Sequence, residues 1–404
     1  MGGRGMSRLS KPFRLFAVET HPIQYKAPLF RRLAAHPDLD LTVLYAMIPD
    51  AAQQGAGFGV PFAWDVPLLE GYAHEVLENR AKHPSVTAFS GCDTPGILER
   101  LRRDRPDAVL VNGWVSKTCL QALWACRRLG IPCLVRGEAN RLRPRAAWKH
   151  VLHGLLLRQY AGYLAIGSAN RDFYRFHRCP PERIFPVPYA VDNGFFAAQA
   201  AARTGRRDEI RAAFGISSAA RVFLFVGKLE EKKHPLDLLE AISLLPEEGR
   251  EHVHVLVAGE GPLRAECERF ARAKRLQVAF AGFLNQSRVP DAYSAADVLV
   301  LPSDAGETWG LVVNEAMASG RPAVVSRAAG CCADLVREGE TGCSCACRDV
   351  RGLSGILADY LRDPGLAARQ GVAAVRHIGR YGLEAAAEGV VAAVRACAGG
   401  GRPC

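Results

Sequence analysis

The sequence predicts an α/β protein made of two doubly wound, parallel-sheet domains that face each other across a cleft. Three observations lead there. A chain of 404 residues is longer than one compact core usually holds and fits two domains of roughly 150–200 residues. Short apolar runs alternate with helical patterns, the mark of βαβ units and a parallel sheet. The alternation pauses after Pro186–Asp192 and restarts at Val222. The expected division is a flexible start over 1–11, a first domain over 12–190, a second over 191–380, and a final helix and tail over 381–404.

In the first half the strand candidates are Leu15–Val18, Leu41–Tyr45, Ala108–Val111, Cys133–Val135 and Tyr163–Ile166. Between them the spacing predicts helices over Pro28–Ala35, Thr94–Arg103, Cys119–Leu129, Ala147–Tyr160 and Ala169–Phe176. Ile48–Val66, rich in Gly and Ala, reads as a mobile loop, and Ala197–Arg207 as a surface connection. The second half predicts strands Val222–Val226, Val253–Ala258, Val278–Ala281, Val298–Leu301 and Ala323–Ser326. Its helices are Pro235–Leu245, Pro262–Ala273, Val289–Ala295 and Leu311–Ser319. The Ala/Val-rich helix Leu383–Ala398 can pack back on either domain.

Composition excludes several classes. Apolar (49%) and charged (23%) shares are those of a globular protein. No stretch approaches 18 uninterrupted apolar residues, and no apolar segment follows the basic start, so neither a membrane span nor a secretory signal is expected. The net charge of +11 is unevenly placed: residues 1–190 hold 26 Lys+Arg against 15 Asp+Glu, and the remainder balance. That field draws anionic partners, whether phosphates, acidic sugars or a lipid surface; otherwise it is an Arg-rich solvated surface. The 13 cysteines lack zinc-site spacing and fit a reducing, cytoplasmic setting.

Open parallel sheets bind ligands at the C-terminal edges of their strands, and three such edges in the second half are rich in Gly or charge. Val226-Gly227 leads into Lys228 and Lys233, two cations able to clamp a diphosphate or simply to sit in a solvated Lys/Glu loop. In Ala258-Gly259-Glu-Gly261-Pro262 the glycines permit close backbone approach, and Pro at a first helical turn leaves N–H groups for an anion. After Leu301, a loop exposes Glu307 ahead of a helix that begins near Gly310 and carries Glu315 about two turns on. Two carboxylates at those heights suit the hydroxyls of a sugar and a ribose.

The stretches VGKLEEKKHP, AGEGPLR, AGFLNQSRVPDAYSAADVLVLPS and ETWGLVVNEAMASGRPAV resemble the C-terminal domain of GT-B retaining glycosyltransferases of family 4. The resemblance is strong over about 120 residues and looser elsewhere. It implies that Glu315 binds the ribose, and that Glu307 with the backbone of Thr308, Trp309, Gly310 and Leu311 holds the transferred sugar. Lys228 and Lys233 stand where the family keeps an Arg/Lys pair on the diphosphate, Lys228 replacing a forked grip by a point charge. Phe283 and Leu284 would lie beside the base. The second domain would then bind the nucleotide sugar and the first the acceptor.

In the first half, His21-Pro-Ile-Gln-Tyr25 follows the first strand. Either His21 reaches donor or acceptor, or Pro22 merely fixes a turn. Arg136 and Glu138 are acceptor contacts or members of a salt-bridged loop, and the helix from Ala147 meets a membrane surface or packs in the core. The expected activity is transfer of a sugar from a nucleotide sugar to a saccharide or lipid-linked acceptor, with retention, in cell-surface polysaccharide or glycolipid synthesis. The alternatives are a nucleotide-sugar epimerase and a non-catalytic subunit of a polysaccharide-assembly complex. No cofactor beyond the donor, no metal and no nucleic acid is expected; peripheral contact with the inner face of a membrane is.

Overall fold

The computed structural model describes residues 11–55 and 59–399; most of the expected flexible start lies outside them. The first sheet consists of β1 (Phe13–Glu19), β2 (Leu39–Tyr45), β3 (Ala73–Val76), β4 (Ala108–Val111), β5 (Cys133–Val135), β6 (Gly162–Ala165) and β7 (Ile184–Pro186). All pair in parallel, in the order β3-β2-β1-β4-β5-β6-β7. The second sheet holds β8 (Arg221–Val226), β9 (Val253–Ala258), β10 (Val278–Gly282), β11 (Val298–Leu301), β12 (Ala323–Ser326) and β13 (Gly342–Cys345). It too is parallel, in the order β10-β9-β8-β11-β12-β13. Each sheet therefore reverses its strand order once, between β1 and β4 and between β8 and β11.

Period-two alternation along β1 explains the layering. Leu15 and Ala17 enter a core with Leu29, Leu33 and Val390, whereas Phe16 and Val18 enter one on the other face with Leu101, Leu123 and Phe173. The three strands outside the sequence candidates are short. Ala73–Val76 has no buried residue, Ile184–Pro186 ends in proline, and Gly342–Cys345 is built of small residues. Two further helices, Val350–Arg362 and Leu366–Ile378, also had no counterpart in the sequence reading.

Two expectations are corrected. The Ala197–Arg207 connection is largely helix: Asn193–Arg203, started by the Asp192 carboxylate accepting from Phe195 N at 2.8 Å. The loop expected to be mobile carries a short helix, Ala51–Gly55, and its end is docked on the second domain. There Asn285 Nδ2 donates to Ala63 O at 2.7 Å, Ser287 N donates to Asp65 at 3.2 Å, and the Phe62 and Phe283 rings lie 4.3 Å apart. Residues 56–58 of that loop lie outside the described residues.

After the second domain the chain returns to the first. Helix Leu383–Ala398 buries Ala386, Ala387, Val390, Val391 and Val394 in the core shared with β1. A Cβ on Gly389 of this helix would come within 2.0 Å of Pro186 O. Gly to Ala inside a helix ordinarily stabilises by up to about 1 kcal/mol. Gly389→Ala is instead expected to destabilise by about 1–3 kcal/mol, the range for overpacking, as measured by chemical denaturation.

Candidate active site

The loops that leave β8, β9 and β10 lie in backbone contact. Gly227 N donates to Ala258 O at 3.0 Å, Gly259 N to Gly282 O at 2.8 Å, and Leu229 N to Glu260 O at 2.8 Å. Gly259 (φ +151°) leaves no room for a side chain, since a Cβ would stand 1.9 Å from Gly227 O. The helix starts at Arg264, two residues beyond Pro262, and the two amides leading into it are engaged: Leu263 N to Leu229 O and Arg264 N to Gly261 O. Gly259 and Gly261 pack one loop on the next.

That packing sets the cations. Lys228 follows Gly227, and burial foremost lowers its pKa, with Lys232 and Lys233 adding repulsion and Glu230 opposing. Lys233, just ahead of helix Pro235–Ser243, extends its ammonium to Glu307 Oε2. The sequence places these two residues on separate loops; the structure makes them an ion pair between the strands at which the second sheet reverses. Glu307 is held by its own backbone, its N–H to Asp304 O at 3.0 Å and its carbonyl to Gly330 N at 3.1 Å.

Gly310 (φ +109°) caps helix Leu311–Ala318, which carries Glu315 inward. Glu315 Oε2 accepts from Tyr293 OH at 2.6 Å, and burial pushes its pKa up to about 7. The Trp309 indole is turned into the core at 3% exposure. Its Nε1 donates to Asn314 Oδ1 at 2.9 Å and its ring stacks on Tyr189, so only its backbone faces the loop. Phe283 and Leu284 line a hollow with Phe62, Phe214 and Arg288. A larger hollow, around Pro132, Tyr160 and Cys397, opens at the opposite edge of the first sheet, away from the strand ends that bind ligands in this architecture.

The first domain brings a second charged group to the cleft. Glu19, at the end of β1, is buried with Lys26 Nζ 2.8 Å away and also accepts from Asn112 Nδ2 just past β4. Burial raises the Glu19 pKa, against the pull of Lys26. Arg136 lies 4.7 Å over the Tyr189 ring, and Tyr189 OH donates to Glu138 Oε1 at 2.6 Å. Thr308 Oγ1 donates to the other Glu138 oxygen at 3.0 Å, tying the two domains together beside Glu307. His21 keeps its Nδ1 2.9 Å from Thr20 Oγ1, and its pKa falls to about 4 through burial and the nearby Lys26 charge. Glu19, Lys26, Asn112, Tyr189 and Tyr293 were missed in the sequence; an acid closing an otherwise apolar strand, FRLFAVE, was the available signal.

Metal-binding geometry occurs at His150, His153 and His177, whose ring nitrogens lie within 4.8 Å of one another. Arg141, Arg145 and Lys149 surround that group with positive charge, which opposes a divalent ion. The chain's Asp-x-Asp, Asp38-Leu39-Asp40, sits where β2 begins, at the edge away from the cleft, with Asp38 held by Arg395 and Asp40 near Arg14.

Two facing, fully parallel sheets with these strand-end loops form a GT-B fold. Residues 206–377 match the family model for glycosyl transferases group 1, which places that stretch in the family its motifs resemble. The chain is similar to D-inositol 3-phosphate glycosyltransferase 2 of Catenulispora acidiphila, 34% identical over 226 residues, 54% of this chain and 51% of that protein. It is also similar to alpha-D-kanosaminyltransferase of Streptomyces kanamyceticus, 28% identical over 276 residues, 65% of this chain and 70% of that protein. The chain thus spans about half the length of the inositol-phosphate glycosyltransferases it matches. Among solved structures, Anabaena Alr3699/HepE in complex with UDP and glucose aligns with a TM-score of 0.72 at 15% identity, over 95% of this chain and 100% of that one. Sucrose-phosphate synthase from Thermosynechococcus elongatus aligns at 0.69 and 18%, over 95% and 98%. At such identities the likeness is one of fold.

Glu315 generates a prediction whose sign follows from linkage. Its folded pKa lies above the ordinary 4.5, so the native state binds more protons between about 4.5 and 7, and this group's contribution to stability falls as pH rises through that window. Glu315→Gln is expected to raise the unfolding temperature at pH 8 and to lose that advantage toward pH 4.5. A thermal unfolding series across this range checks it.

Proposed function

We propose that this protein is a glycosyltransferase that moves a sugar from a nucleoside diphosphate sugar to a saccharide or lipid-linked acceptor, with retention, in cell-surface polysaccharide or glycolipid synthesis. The observation that carries the reading is the convergence of Lys228, Lys233 and Glu307 at the point where the second sheet reverses, with Glu315 on the adjoining helix. The solved neighbour that holds UDP and glucose makes a UDP-sugar the first donor to try. The setting we infer is the cytoplasm, at the inner face of a membrane; the twelve cysteines among the described residues all carry free thiols, which fits a reducing compartment.

In this mechanism the diphosphate takes Lys233 from Glu307, and Lys228 joins it from the same loop. The two ammonium groups balance the charge that grows on the departing nucleotide as the bond to the anomeric carbon lengthens, the task a divalent ion performs in other transferases. Glu307, released from Lys233, accepts from the sugar hydroxyls, and Glu315 accepts from the ribose. The acceptor hydroxyl attacks from the face the nucleotide leaves, and its proton passes to the departing phosphate. Arg136 and Glu138, beside Thr308, are the acceptor-side contacts in this scheme, with His21 at the rim.

The reading is tested with nucleoside diphosphates in thermal shift and then with a transfer assay. Lys233→Ala is expected to lower turnover roughly 10²–10³-fold, the scale for one lost electrostatic contact to the transition state, and to weaken UDP binding. Turnover is expected to survive a chelator. Unchanged turnover in Lys233→Ala removes the site assignment, and accumulation of an isomerised donor without acceptor replaces transfer by epimerisation.

A further inference from the structure

We infer that helix Ala147–Leu157 docks the protein on a lipid bilayer rich in anionic headgroups. Trp148 (60% exposed), Val151 (62%), Leu152 (54%) and Leu155 (52%) follow the i, i+3, i+4, i+7 spacing of a single helix face. Leu142 and Phe176, also exposed, come from the loop before this helix and from the end of the next one. The stripe does not arise from a helix lacking a seat. Its opposite face packs: His150 against Phe176 and His177 (5.1 and 5.4 Å between rings), His153 against Trp114 and Phe173 (5.6 Å each), and Leu157 in the core. The sequence left open a core-packed helix; the structure buries one face and leaves the apolar one in water.

Charge selects the partner. Residues 141–178 hold eight cations, Arg141, Arg143, Arg145, Lys149, Arg158, Arg171, Arg175 and Arg178, against one acid, Asp172. Arg141 lies 4.0 Å over the exposed Phe176 ring. A protein partner is matched by charges of both signs and by directional hydrogen bonds. A bilayer surface needs only apolar depth under a one-signed rim, with Trp at the boundary. At 11 residues the helix is too short to cross a bilayer, and no helix among the described residues is long and apolar enough to do so. The loop leading into it begins with Arg136 and Glu138, so docking sets the acceptor side of the cleft next to the membrane. This deepens and rests on the lipid-linked acceptor reading, which a transfer assay tests separately.

The test is co-sedimentation of the full chain with vesicles of phosphatidylglycerol and phosphatidylcholine against vesicles of phosphatidylcholine alone. The protein is expected to pellet with the anionic vesicles and to be released by salt. Leu152→Glu with Leu155→Glu is expected to reduce binding roughly tenfold or more, with the unfolding temperature and turnover of a water-soluble acceptor unchanged. Should that pair fold poorly, Arg143→Ala and Arg158→Ala provide the second reading, each expected to weaken binding roughly fivefold at low salt. Equal binding by wild type and these variants, or no binding to anionic vesicles, overturns the inference. So does a dimer in sedimentation equilibrium that Leu152→Glu with Leu155→Glu dissolves while vesicles are ignored. Loss of vesicle binding with soluble transfer intact separates the docking from the chemistry.

Discussion

The Lys233–Glu307 ion pair is the contact around which the candidate site is organised. Its partners come from the loops after β8 and β11, neighbours in the sheet at the point where strand order reverses. Both are largely withdrawn from water, so each depends on the other: removing one leaves a poorly solvated charge behind. The pair closes only because the loop after β8 is pressed flat against the loop after β9, with Gly227, Gly259 and Gly261 all at positive φ. A side chain at Gly259 or Gly261 would strike the facing backbone and drive the lysines away from the acid.

A second set of contacts couples the domains at the same place. Glu138 joins Thr308, Tyr189 stacks on Trp309, and Asn314 Nδ2 donates to Tyr189 O at 3.1 Å. Ser168 donates to Asp334 through both its amide and its hydroxyl. Asn285 and Ser287 hold the loop around Phe62 against the second domain. Any opening of the cleft must break these contacts together, while helix Leu383–Ala398 keeps the second domain tethered to the far side of the first. Polar groups do most of this joining, the composition expected of an interface between domains that move against each other.

The electrostatics of the molecule divide the same way. The second half of the chain carries equal numbers of cations and acids, whereas the first half carries the whole positive excess, much of it in the stretch around helix Ala147–Leu157. Glu19, Glu315 and His21 are each shifted by burial away from the charged form. Groups kept against their preference for water at a cleft floor are where local stability yields to function.

Parallel-sheet architecture, most strand positions and the helix that carries Glu315 were legible in the sequence, because fully buried strands appear as apolar runs and helical spacing is local. So were Lys228 and Lys233 as a cationic loop. Sequence pattern also places Trp309 among the site residues, but its indole direction depends on Asn314 and Tyr189, which are distant or unremarkable in the chain. Gly259 and Gly261 were recognised as permissive backbone, yet what approaches them, the loop after β8, is a neighbour only in space. Glu19 with Lys26, the docking of Phe62 on Phe283, and the outward apolar face of residues 148–155 likewise needed the fold. Local pattern determined which elements form, since backbone and burial periodicity act over a few residues; only the tertiary structure decided which charges meet and which apolar face stays exposed, since those outcomes depend on how distant elements pack.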